Sequence, residues 1–98
     1  MADLSRYTVN WNYPTAIRCG IGRIAELPIA CRSLGIERPL LVTDPGLAAT
    51  AMVKDAAASA GAGIFSRIKG NPAGRNIDDG LAAFRDGRHD GVIAFGGG

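Results

Sequence analysis

Aromatic residues are scarce in this chain, at 6% of its 98 residues, and there is one histidine, His89. Small side chains take their place, with sixteen Ala and fourteen Gly. Burial is worth roughly 25 cal/mol per Å² of apolar surface, and a chain this short buries a modest share of its surface. A core built largely from Ala and Gly is therefore marginal alone, which suggests that the chain is part of something larger. No uncharged apolar run approaches the roughly eighteen residues of a membrane span. The opening Met1 to Tyr7 carries an acid and no apolar core, unlike a secretory signal. The formal net charge is only +2, and the arginines are scattered singly from Arg6 to Arg88. Without a basic run, no nucleic-acid partner is expected. Cys19 and Cys31 lack metal-ligand spacing and are read as reduced, buried small hydrophobes. A cytoplasmic protein is the expectation. With 47% apolar and 20% charged residues, the composition is that of one globular unit over residues 1–98.

What is present alternates. Tyr7 to Trp11 and Thr15 to Cys19 predict two short strands around a turn at Asn12-Tyr13-Pro14. Arg23 to Leu34 reads as helical but contains Pro28. A proline inside a helix is costly, so a short turn up to Leu27 is expected, then a fresh helix with Pro28 in its first turn and Gly35 as its stop. Pro39 to Thr43 is a buried strand running into Asp44-Pro45-Gly46. Leu47 to Ala60, rich in Ala and free of Gly and Pro, predicts one helix ended by Gly61. Ile64 to Ile68 is a second strand. Asn76 is the expected N-cap of a further helix, with Asp78 and Asp79 in its first turn. Ile77, Leu81 and Phe84 fall on one face of that helix, and Gly87 ends it. Val92 to Phe95 is a third buried strand. Apolar strands alternating with helices predict an α/β fold: a Rossmann-like parallel sheet with helices on both faces and an N-terminal strand pair.

The third strand runs straight into Gly96-Gly97-Gly98. A strand, a glycine turn and a helix form a phosphate cradle, because glycines let backbone N–H groups approach the anion and the helix N-terminus adds a positive dipole. Here the helix is missing, so the chain is read as the incomplete N-terminal part of a dinucleotide-binding domain, cut at its phosphate loop. Gly20-Ile21-Gly22-Arg23-Ile24-Ala25 also fits G-x-G-x-x-G/A, but that fingerprint needs a buried parallel strand before it. Thr15 to Cys19 alternates in polarity, so a tight strand-to-helix turn is the better account. Asp44 directly follows a buried parallel strand, where open α/β sheets bind ligands. It can accept hydrogen bonds from the hydroxyls of an adenosine ribose, or simply cap a turn. His89 lacks partners at ligand spacing and reads as a surface residue. Asp78 and Asp79 do not share a helix face, so they are no catalytic pair.

Four stretches in order resemble the N-terminal domain of the iron-containing (group III) alcohol dehydrogenase family. They are Pro14 with Cys19-Gly20-Ile21-Gly22; Leu40-Leu41-Val42-Thr43-Asp44-Pro45-Gly46-Leu47; Asn71-Pro72 with Gly80; and Asp90-Gly91-Val92-Ile93-Ala94-Phe95-Gly96-Gly97-Gly98. The same superfamily holds glycerol dehydrogenases, maleylacetate reductases and dehydroquinate synthases. The resemblance implies an α/β nucleotide domain followed by an all-helical C-terminal metal domain, absent from this chain, and a homo-oligomer. It implies NAD, in preference to NADP, contacted by Asp44 at the adenine-side ribose. Asn71 and Pro72 would lie near the adenine, and Gly96, Gly97 and Gly98 at the pyrophosphate. It also implies Fe2+ or Zn2+ on one Asp and three His of the later part, acting as a Lewis acid while hydride passes between the nicotinamide and an alcohol or carbonyl carbon. No catalytic or metal-binding residue is expected within residues 1–98, which alone should be inactive. A non-catalytic nucleotide-binding module is the rival reading.

Overall fold

The computed structural model describes residues 16–68 and 74–96. Within them a three-stranded, all-parallel sheet has β1 (Pro39–Val42) at its centre, flanked by β2 (Gly63–Phe65) and β3 (Gly91–Ala94), in the order β2-β1-β3. The register sets Val42 against Phe65 on one side and against Ala94 on the other. The helices are α1 (Leu27–Ser33), α2 (Pro45–Ala48), α3 (Ala51–Ala60) and α4 (Gly74–Asp86).

Consecutive parallel strands need crossover connections, and these are right-handed almost without exception. The path from β1 to β2 moves one way across the sheet, and the path from β2 to β3 moves back past β1. The two crossovers therefore cover opposite faces. On one face Leu41 is fully buried with Val53, Ala56 and Ala57 of α3, with Leu27, Leu47, Ile93 and Phe95 packed around them. Two of the four buried core residues are alanines, the small-residue core that the composition foretells. On the other face α4 lies over Leu40, Val42, Phe65 and Val92 but leaves an apolar groove of about 560 Å³ between itself and the sheet. Ile77 and Leu81, on the face set by their spacing, line this groove and stay exposed.

The helix boundaries follow local chemistry. Arg23–Glu26 forms a single 3-10 turn, and α1 begins after it with Pro28 in its first turn. Gly35, at φ 73°, and Gly61, at φ 64°, take the left-handed conformation that ends α1 and α3 without a Cβ penalty. The expected single helix from Leu47 to Ala60 is two. Thr50 breaks it: its hydroxyl donates to Leu47 O (2.6 Å), and its oxygen accepts from Val53 N (3.3 Å), so it caps α3. Asn76 is not the N-cap of the last helix, which starts at Gly74. Its side chain instead donates to Arg67 O at 3.0 Å, tying α4 to the start of the second crossover, just beyond β2. Asp78 and Asp79 accordingly lie beyond the first turn.

Ala16 to Cys19 carries no strand; these residues are exposed, and no strand pairs with them among the described residues. The Tyr7 to Trp11 strand and the Asn12-Tyr13-Pro14 turn lie outside the described residues. The second strand stops at Phe65 and does not reach Ile68. Cys31 is buried in α1 as expected, but Cys19 is exposed, and both are free thiols. No helix among the described residues is long and apolar enough to cross a membrane.

Candidate functional site

Strand order fixes where a ligand can sit. Chain connections leave β1 toward one edge of the sheet, and β3 enters from the other. The gap between the carboxyl ends of β1 and β3 is thus the topological switch point, the usual ligand crevice of an open α/β sheet. Asp44 stands at the end of β1 and Gly96 just beyond the end of β3, one on each side of this gap.

Asp44 is exposed, with an extended backbone (φ −81°, ψ 163°) that turns the chain into α2. Its Oδ1 accepts from Leu47 N at 2.7 Å and caps α2, so the turn-capping role is present. The cap engages one carboxylate oxygen; the other has no hydrogen-bond partner among the described residues. Gly46 helps admit this geometry, because a Cβ there would come within 3.2 Å of Asp44 Oδ1. At Gly96 a Cβ would meet nothing within 4 Å. Among the described residues nothing fills that space, so they do not bar a ligand from the Gly96 backbone. Asn71, Pro72, Gly97 and Gly98 lie outside the described residues. Among the described site residues, the structure therefore brings together Asp44 and Gly96.

Between them the strand ends are tied. Thr43, almost wholly buried, donates from its hydroxyl to Phe95 O at 2.8 Å, while Phe95 N donates to Val42 O at 2.9 Å. Thr43 N donates to Phe65 O on the β2 side at 3.0 Å. In the sequence Thr43 reads only as part of an apolar strand; the signal that distinguishes it is a hydroxyl at the end of that strand, immediately before Asp-Pro.

At the opposite end of the sheet, the Asp90 carboxylate accepts from Glu37 N (2.9 Å) and Arg38 N (2.7 Å), and these backbone donors lower its pKa. His89 sits beside it with Nδ1 3.1 Å from Arg38 O and its ring near Phe84. Nearer the start, Glu26 pairs with Arg23 and Arg18, both at 2.7 Å, and their hydrogen bonds lower its pKa to about 2. The Gly20-Ile21-Gly22 stretch opens the 3-10 turn, with Gly22 left-handed at φ 78°, and among the described residues no strand precedes it. It is a turn, as its context argued. Among the described residues no three His, Cys, Asp or Glu gather into a group able to hold a metal ion. The described part of this chain does not fit a metal centre.

The fold is that of an open α/β protein with a parallel sheet and a crevice at its switch point. The family model for iron-containing alcohol dehydrogenases matches residues 14–98, and the chain belongs to that family. It is 34% identical over 89 residues to 4-hydroxybutyrate dehydrogenase of Cupriavidus necator, covering 88% of this chain and 23% of that one. It is 38% identical over 89 residues to 1,3-propanediol dehydrogenase of Klebsiella pneumoniae, covering 81% and 22%. Among solved structures, 1,3-propanediol oxidoreductase superposes with a TM-score of 0.75 at 33% identity, covering 81% of this chain and 22% of that one. Sulfoacetaldehyde reductase from Bifidobacterium kashiwanohense, solved in complex with NAD+, superposes with a TM-score of 0.79 at 22% identity, covering 92% and 25%; at that identity the likeness is one of fold. The chain spans about a quarter of the length of the curated relatives it matches.

Proposed function

We propose that these 98 residues are the first part of the α/β cofactor domain of an NAD-dependent oxidoreductase that interconverts an alcohol and an aldehyde or ketone. The observation that carries this reading is the placement of Asp44 and Gly96 on either side of the switch point in a chain of this family. Asp44 receives the adenosine ribose hydroxyls. Gly96 begins the pyrophosphate turn that Gly97 and Gly98 continue, and Asn71 and Pro72 lie by the adenine. In the balanced reaction the alcohol carbon gives a hydride to NAD+ and its hydroxyl loses a proton, yielding the carbonyl, NADH and H+. Residues 1–98 bind and orient the cofactor. The family's metal, iron or zinc, draws its ligands from outside the described residues, so no step here is assigned to it, and the 98 residues alone are inactive.

The substrate is a small alcohol or its carbonyl, acted on by a homo-oligomer in the cytoplasm. Relatives are named for 4-hydroxybutyrate, 1,3-propanediol and methanol, so these three form the first substrate panel. The test is fluorescence titration of the full chain, meaning these 98 residues together with the rest of the protein, with NADH, followed by NAD-linked oxidation of the panel. Micromolar NADH binding with turnover of at least one alcohol is expected; absence of NADH binding would overturn the reading.

A further inference from the structure

We propose that Thr43 is a positioning residue for the cofactor, its hydroxyl standing in for the last rung of the β1–β3 ladder so that Asp44 is released into the crevice. The role rests on the cofactor reading above. The register makes the argument. Leu41 pairs with Ile93 and Val42 with Ala94, and Phe95 N donates to Val42 O. In a regular parallel ladder the next bond runs from the residue two beyond Val42 back to Phe95; that is, Asp44 N–H would donate to Phe95 O. Instead Phe95 O accepts from Thr43 Oγ1 at 2.8 Å.

The exchange has two consequences. Asp44 need not lie against β3, so its backbone can turn away into α2 at the point where the two strand ends must part to admit a ligand. The carbonyl of Phe95 is also held, and because the peptide is planar, the orientation of the Gly96 N–H is held with it. One hydroxyl thereby sets both sides of the crevice. Without it, the Phe95 carbonyl lacks its partner, and a part-buried acceptor left unpaired is costly. The in-register donor is Asp44 N–H. Drawing it in would narrow the gap and move the carboxylate from the ribose.

The experiment uses the full chain and compares wild type with Thr43→Val, Thr43→Ser and a core control, Val53→Ala, whose side chain is fully buried away from the crevice. NADH affinity, the KM for NAD, the KM for the alcohol, kcat and Tm are measured for each. Thr43→Val should weaken NADH and raise the KM for NAD about tenfold, the effect of one hydrogen bond's worth of affinity. The alcohol KM and kcat at saturating NAD should stay within about twofold. Thr43→Ser should bring NADH affinity back to within about twofold of wild type. Val53→Ala should lower Tm but leave NADH affinity unchanged. Thr43→Cys, which keeps the volume and weakens the donor, takes the place of Thr43→Val if that variant does not fold, under the same criterion. Unchanged NADH affinity without the hydroxyl overturns the positioning role and leaves the cofactor reading standing. So does equal weakening in Val53→Ala, or failure of the serine to rescue. If wild type itself does not bind NADH, the cofactor reading falls and the positioning role falls with it.

Discussion

Asp44 has two separable duties, and two substitutions divide them. As a cap it offers Oδ1 to Leu47 N at 2.7 Å; as a recognition group it offers negative charge at the crevice. Asp44→Asn keeps an acceptor for the cap and removes the charge. Asp44→Gly removes both, although glycine at an N-cap costs only a few tenths of a kcal/mol. Stability should therefore change little in either variant, while cofactor choice changes in both. A hydrogen bond to a charged acceptor is worth about 1.5–3 kcal/mol, so loss of the carboxylate should reduce kcat/KM for NAD about tenfold to a hundredfold in Asp44→Gly. Asn, still an acceptor but neutral, should lose roughly half of that energy. For NADP the sign reverses, because the ribose 2′-phosphate no longer faces a carboxylate, and kcat/KM should rise in both variants. The assay is kcat/KM with each cofactor in the full chain, with Tm measured alongside. An NAD/NADP ratio unchanged in both variants would refute the reasoning and leave Asp44 as a turn residue alone.

Leu41→Ala should destabilise the full chain by about 2–5 kcal/mol, read as a lowered urea midpoint, since this fully buried side chain lies against Val53 and two alanines that offer little to fill the void; a loss below about 1 kcal/mol would contradict the core assignment. Glu26, with its pKa lowered to about 2 by Arg23 and Arg18, contributes stability above its ordinary value of 4.5 and loses it as pH falls through about 2. The Tm difference between wild type and Glu26→Gln should be small, since the pair is exposed to solvent, present at pH 7 and gone near pH 2; a difference that grows on acidification would reverse the sign.

The elements legible in the sequence are those set by local chemistry. Pro28, Gly35 and Gly61 each mark a boundary through a fixed or left-handed φ, and the apolar runs around Leu41 and Ile93 are both strands. The first is buried as expected, but the second is not, since β3 lies at an edge of the described sheet with Val92 55% exposed. What escaped was decided by single hydrogen bonds and by strand pairing, neither of which residue type reveals. Thr50 caps a helix inside an alanine-rich stretch whose propensity argued for continuity, because a cap depends on one hydrogen bond and not on a sum over the window. Asn76 looks like a start signal by residue type, but its amide reaches Arg67 O from within the helix. Ala16 to Cys19 has strand-forming residues, but a strand exists only with a neighbour to pair with, and no described strand pairs with it. The placement of Asp44 after a strand was readable. That β1 lies centrally, so that Asp44 and Gly96 flank one gap, was not, because strand order is set by the crossovers.

Asp90 at one end of the β1–β3 pair and Thr43 at the other bridge nearly equal spans of chain, 53 residues from Glu37 to Asp90 and 52 from Thr43 to Phe95. They act as the two ends of a buckle around a single excursion that holds α2, α3, β2 and α4. The entropy of closing such an excursion grows only with the logarithm of its length, and once one end is fastened the other closes at little further cost. Residues can then be gained or lost within the excursion, in its loops or along α4, without sliding β1 against β3. The mouth of the crevice stays in register while the rest of the excursion is free to diverge.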